Sequence, residues 1–133
     1  MARKCAMQAL YQWQMTHHPA SELLQQYIGS QEMGGADVEY FTELVRECTA
    51  KREELDTELA QFVDRPVGQL DPVEHAILWV GMYELTARLD IPYRVVINEA
   101  VELTKRFGAT DGHRYVNAVL DKAGRAKRVA EQG

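Results

Sequence analysis

The chain has 133 residues, 46% of them apolar and 26% charged, enough to bury a real core and too apolar to remain disordered. Its formal net charge of −5 argues against general stickiness for nucleic acid, and no apolar run nears the roughly 20 residues that span a bilayer. Gln8, Gln12 and Gln14 interrupt the stretch after Arg3 and Lys4, so the apolar centre of a signal peptide is missing; one compact domain over 1–133, in the cytoplasm, is expected.

Residues 3–17 predict a first helix, with Cys5, Ala6, Ala9, Leu10 and Trp13 on one face and Pro19 as its stop. Ser21 is the expected cap of a short second helix whose core side is Leu24, Tyr27 and Ile28. The Gly29–Gly35 segment reads as a flexible connection. Asp37 is the next N-cap, and Tyr40, Phe41, Leu44, Val45 and Cys48 come after it at spacings of three and four. The pattern resumes with Leu55, Leu59 and Phe62. The polar span between predicts a break near Thr49. Asp71-Pro72-Val73-Glu74 is the clearest start signal: aspartate at N-cap, proline at N1 and glutamate at N3. The helix it opens, to about Leu89, is apolar all round and should run through the middle of the fold. Ile91-Pro92 breaks it. Residues 93–122 then read as two helices around a tight turn. Val95, Val96, Ile97, Ala100, Val101, Leu103 and Phe107 give the first its apolar face, Gly108 stops it, and Asp111 is the expected N-cap of the second. That last helix buries Val116, Val119 and Leu120, and the tail after Gly124 is expected to fray. The fold class is all-α: a compact bundle of six or seven helices, two packed helical sub-bundles with the Asp71–Leu89 helix at their junction.

Charge is unevenly placed along this frame. Residues 20–90 carry 15 acids and 5 bases, whereas residues 94–128 carry 8 bases and 4 acids. Basic ends can hold an anion locally despite the overall sign, although uneven charge is also ordinary in helical proteins. His113, Arg114, Tyr115, Asn117 and Lys122 share the open surfaces of the last helix. Cations, an amide and a ring near one helix start suit nucleic acid better than catalysis. No nucleophile–base pair, metal-ligand set or phosphate loop can be pointed to, so neither an enzyme nor a cofactor is expected. Cys5 and Cys48 read as buried small hydrophobes. His17-His18 read as a solvated helix end, and Glu43, Glu47, Glu53, Glu54 and Glu58 as a solvated face.

Four segments carry a resemblance: QALYQWQ at Gln8–Gln14, VEHAILWVGMYEL at Val73–Leu85, PYRVVINEAVELTKRFG at Pro92–Gly108 and GHRYVNAVLDK at Gly112–Lys122. In order and spacing they resemble the NusB transcription antitermination factors over almost the whole chain. A related helical domain precedes some ribosomal-RNA cytosine methyltransferases, but this chain has no room for that enzyme half and no GxGxxG loop. The resemblance implies a non-enzymatic adaptor. Such proteins pair with NusE, a ribosomal small-subunit protein, and bind the single-stranded boxA element of nascent ribosomal RNA leaders within the transcription elongation complex.

Carried over by position, the resemblance implies an RNA surface of Arg3, Lys4, Gln8, Tyr11, Tyr93, Arg94, Arg114, Tyr115, Asn117 and Lys122. Lys4, Gln8 and Tyr11 share a helical stripe. Tyr11 reads as a half-buried ring or as a stacking platform, and Tyr93 and Arg94 as a helix-start anion site or as a packed ring beside a solvated arginine. Tyr115 matches an aromatic position near the RNA. Asn117 contacts RNA or holds a helix end, and Asp111 beside them restrains affinity if it is not only a cap. The implied NusE contacts are Glu74, His75 and Leu78, with Glu74 also serving as the N3 capping carboxylate. Only Arg3 and Lys4 remain of a terminus that is often more basic in the family, so weak RNA binding without NusE is expected. A different reading is a homodimeric interaction module that covers the Ile77–Tyr83 stretch with a second copy and binds RNA weakly.

Overall fold

Three prolines and two aspartates set the helix starts. The computed structural model describes residues 1–30 and 37–132. Among them it holds α1 (Ala2–Thr16), α2 (Ala20–Ile28), α3 (Val38–Ala50), α4 (Arg52–Ala60), α5 (Pro72–Ala87), α6 (Tyr93–Phe107) and α7 (Gly112–Lys127), with 3₁₀ turns at Val67–Gln69 and Val129–Gln132. No strand occurs among the described residues, and the architecture is the expected all-α bundle. Residues 31–36 of the expected Gly29–Gly35 connection lie outside the described residues.

Asp37 accepts the Tyr40 N–H at 3.0 Å, and Asp71 accepts the Val73 and Glu74 N–H groups at 3.1 Å each, with Pro72 at N1. These bonds satisfy donors that a first helical turn leaves unpaired. Pro92 stands at the N-cap of α6. Pro19, not Ser21, holds that place in α2, and no side chain caps it. α1 ends as His17 turns left-handed (φ 59°) and donates its N–H to Trp13 O at 3.1 Å. The polar break falls at Lys51, between α3 and α4.

Every residue of α5 from Glu74 to Leu85 is buried. α1, α2 and α3 pack on one another, α6 packs on α7, and α5 touches both groups and α4. Its approach to α7 depends on Gly81, because a Cβ there would lie 2.8 Å from Leu120 Cδ1. Cys5 and Cys48 are buried thiols that pack as small core side chains.

The turn between α6 and α7 differs from its sequence reading. Gly108 is extended (φ −87°, ψ −179°), and what it needs is the absent side chain: a Cβ would meet Thr104 O at 2.9 Å. Asp111 stands at the N-cap of α7, but it is left-handed (φ 64°) and makes no capping bond.

The tail does not fray. α7 runs on to Lys127, and Arg128, 4% exposed, inserts beneath the end of α5. Its guanidinium donates to Leu85 O at 2.8 Å, Ile91 O at 2.9 Å, and Glu84 O and Arg88 O at 3.0 Å each. Arg128 also pairs with Glu131, whose carboxylate accepts the Tyr93 N–H at 2.9 Å. One arginine therefore gathers carbonyls from the end of α5 and the turn after it, and its acidic partner caps α6.

Candidate nucleic-acid interface

α6 and α7 lie antiparallel across their short turn, which separates the candidate RNA residues. At one end, the Tyr93 ring packs on Gly124, where an added Cβ would lie 3.0 Å from Cδ2. Tyr93 and the exposed Arg94 line a shallow cleft of about 430 Å³ with Leu89, Asp90, Pro92 and Glu131. Arg114 and Tyr115 stand at the other end, where α7 begins. α6 has 15 residues, so the two groups are roughly 20 Å apart.

Two of the α1 candidates, Gln8 and Tyr11, lie toward the turn between α6 and α7. Gln8 and Tyr11 line an open cleft of about 580 Å³ with Met7, Gln12, Met15, Tyr27, Val73 and Phe107. Phe107 ends α6, and Val73 precedes Glu74, whose Oε2 would lie 2.7 Å from a Cβ on Gly112. Tyr11 is 40% exposed, so its ring is available rather than packed away. Lys4 sits further along α1, in a cleft with Glu99, Glu102 and Arg106 where charge of both signs is mixed.

On α7, Arg114 has a side chain 79% exposed and lies 3.8 Å from Asp111 Oδ1, an ion pair open to solvent. Asn117 and Lys122 are exposed. Tyr115 and Asn117, two positions apart, do not share a face. Nor is Tyr115 an open platform. Its hydroxyl is buried against Asp64, and the Arg65 guanidinium covers the ring at 4.4 Å. Burial pushes the Tyr115 pKa up. Arg65 was missed in the sequence because its loop shows no helical periodicity; the signal available was one cation between aspartate and proline.

Arg3 is placed otherwise than the resemblance implied. Its Nε donates to both carboxylate oxygens of Glu84, at 2.9 and 3.1 Å. Glu84 is 1% exposed, and Tyr40 donates its hydroxyl to the same carboxylate. Burial raises the Glu84 pKa, opposed by the Tyr40 hydrogen bond and the Arg3 charge. Arg88 extends the cluster, donating to Glu43 at 3.0 and 3.1 Å and covering the Tyr40 ring at 4.9 Å. Arg3 thus fastens α1 to α5, with its side chain only 22% exposed.

The partner contacts need a similar correction. Leu78 is wholly buried. Glu74, 8% exposed, turns toward Gly112 and the Ala109 N–H instead of outward. Burial and nearby Asp71 raise its pKa, while the Ala109 N–H and Arg65 oppose the shift. His75 Nε2 lies 2.7 Å from Asp56 Oδ1, which also accepts Trp79 Nε1–H at 2.8 Å. His75 reaches a cleft about 250 Å³ in volume and lined also by Trp13, Gln14, His17, Arg52, Gly68 and Trp79. Ile77–Tyr83 is buried too, which removes the surface that the homodimer reading called on. Among the described residues no group of three or more His, Cys, Asp or Glu side chains is arranged to hold a metal, and no helix is long and apolar enough to cross a membrane.

Known proteins share the sequence pattern and the fold of this chain. Residues 1–125 match the NusB family. The transcription antitermination protein NusB of Marinomonas sp. (strain MWYL1) is 48% identical over 98% of this chain and 75% of that protein. The protein of the same name from Nitrosococcus oceani is 49% identical over 98% of this chain and 87% of its own length. Among solved structures, T. maritima NusB shares the fold with a TM-score of 0.82 at 24% identity, covering 93% of this chain and 88% of that one. A crystal structure of antitermination factors NusB and NusE in complex with dsRNA aligns with a TM-score of 0.82 at 27% identity, over 94% of each chain. With the family match spanning nearly its full length and relatives at almost half identity, this chain belongs to the NusB family.

Proposed function

We propose that the chain is a cytoplasmic, non-catalytic transcription antitermination factor. It pairs with a NusE-type ribosomal small-subunit protein, binds boxA-type single-stranded RNA in nascent ribosomal RNA leaders, and acts within the elongation complex. The observation that carries the RNA reading is the end of the bundle where the Gln8–Tyr11 cleft adjoins the α7 start. A partly exposed ring and two amides line that cleft, and the open Arg114 stands on the first turn of α7. Unpaired bases offer flat faces to such rings and pairing edges to such amides, whereas a duplex stacks those faces and pairs those edges. Tyr11, Gln8, Arg114, Tyr115 and Asn117 are the contacts this reading favours, with Lys4 and Lys122 as flanking phosphate contacts. Tyr93 and Arg94 lie at the opposite end, and Arg3 acts from inside. For the partner, the cleft around His75 and Trp13 is the surface we favour, since Glu74 and Leu78 face inward.

The test is a titration of labelled boxA-type RNA, single-stranded and as a duplex, with and without the NusE-type protein. Single-strand binding strengthened by the partner is the expected result. Equal affinity for the duplex, or no gain with the partner, contradicts the reading.

A further inference from the structure

The loop between α4 and α5 puts one cation where the RNA reading needs an open ring. Arg65 projects from this loop, which is anchored by the buried Leu59 before it and Leu70 after it. Its guanidinium carbon lies 4.4 Å from the centre of the Tyr115 ring, and its Nε donates to Asp64 Oδ1 at 2.8 Å. The Arg65 side chain is 47% exposed and that of Asp64 68% exposed, so water can take over either contact. Tyr115 is held differently: its hydroxyl is buried, and the guanidinium covers its ring face. The ring is thus anchored at its edge and covered by a group that can leave.

We propose that Arg65 is a movable cover and an RNA-contacting residue: it lies over Tyr115 in the free protein, yields the ring face to a base when RNA binds, and turns its charge to the adjoining phosphate. This rests on the reading that the α7 end of the bundle holds single-stranded RNA. An exposed guanidinium–ring contact is weaker than base–ring stacking, so the exchange runs toward the base. The displaced guanidinium keeps a partner, because a planar fork suits a phosphate as well as it suits Asp64. Two local acids, Asp64 and Glu74, keep Arg65 from attracting anions indiscriminately when no strand is present.

The experiment uses the full chain, with Arg65→Gln and Arg65→Lys variants checked for folding by thermal unfolding. Affinity for single-stranded boxA-type RNA is measured over a range of salt concentrations, and a fluorinated tyrosine at position 115 reports the ring. Arg65→Gln should lose affinity several-fold and flatten the log–log salt slope by about 0.7, one phosphate contact on a single strand. Arg65→Lys should keep the slope. The position-115 resonance should move when RNA is added to the wild type, and already in free Arg65→Gln. Tighter RNA binding by Arg65→Gln, or an unchanged slope with an unmoved ring signal, overturns the inference. Wild-type protein that binds no single-stranded RNA overturns the underlying reading along with it.

Discussion

Arg3 shows how one residue can join two helices that lie far apart in sequence. Its pairing with Glu84, 81 positions away, joins the first turn of α1 to the end of α5. Removing the arginine leaves a carboxylate that is 1% exposed with only Tyr40 and more distant cations around it. Arg3→Ala should therefore lose about 2–3 kcal/mol at neutral pH in urea unfolding, scaled down from a fully buried pair because Arg3 is partly open to water. The pH dependence has a definite sign. Burial raises the Glu84 pKa above the ordinary carboxylate range, so this group's contribution is most favourable at acid pH and falls as pH rises through the raised value. Arg3 limits that fall. The deficit of Arg3→Ala should be small where Glu84 is protonated and grow toward neutral pH; a deficit that is constant with pH contradicts this assignment. The pairing could not be read from the sequence, because periodicity places Arg3 on a helix and says nothing of a partner 81 residues on. Glu74 is a subtler case: its capping position was legible, but its carboxylate goes to the next turn over, against Gly112.

At the scale of elements, local signals carried far. Asp71-Pro72 fixed the start of α5, and a wholly polar stretch marked the break that falls at Lys51. The same pattern held its own warning about Leu78, since a central helix that is apolar all round has no side left for a partner. The docked tail was illegible for a physical reason. GRAKRVAEQG is polar and charged, and only the carbonyls gathered at the end of α5 and the turn after it give Arg128 a reason to be buried. Arg128→Ala should cost about 3 kcal/mol or more, because it strips several carbonyls of a charged donor at once, and Arg128→Lys should not restore it, lacking the planar fork. Chemical denaturation checks both; a lysine variant as stable as the wild type would refute the forked cap. Gly81→Ala should cost roughly 1–3 kcal/mol by driving a methyl against Leu120, unless α7 shifts to admit it.

For the whole molecule, the helical hairpin sorts the candidate residues by end. A linear reading could place Tyr93–Arg94 and Arg114–Tyr115 on one rim, because both flank the same pair of helices. Antiparallel packing sets them roughly 20 Å apart, while α1 brings Gln8 and Tyr11 to the α7 start, about a hundred positions away in sequence. Single-strand binding at that one end should lose affinity with added salt only as steeply as a few phosphate contacts allow. The central claim is that this end, and not the Tyr93–Arg94 end, meets RNA. The most direct measurement is the amide chemical-shift map of the labelled protein titrated with boxA-type single-stranded RNA. Shifts concentrated at Gln8, Tyr11, Arg65, Arg114 and Tyr115, with Tyr93 and Arg94 quiet, are predicted. Shifts centred on Tyr93, Arg94 and Glu131 would contradict the account.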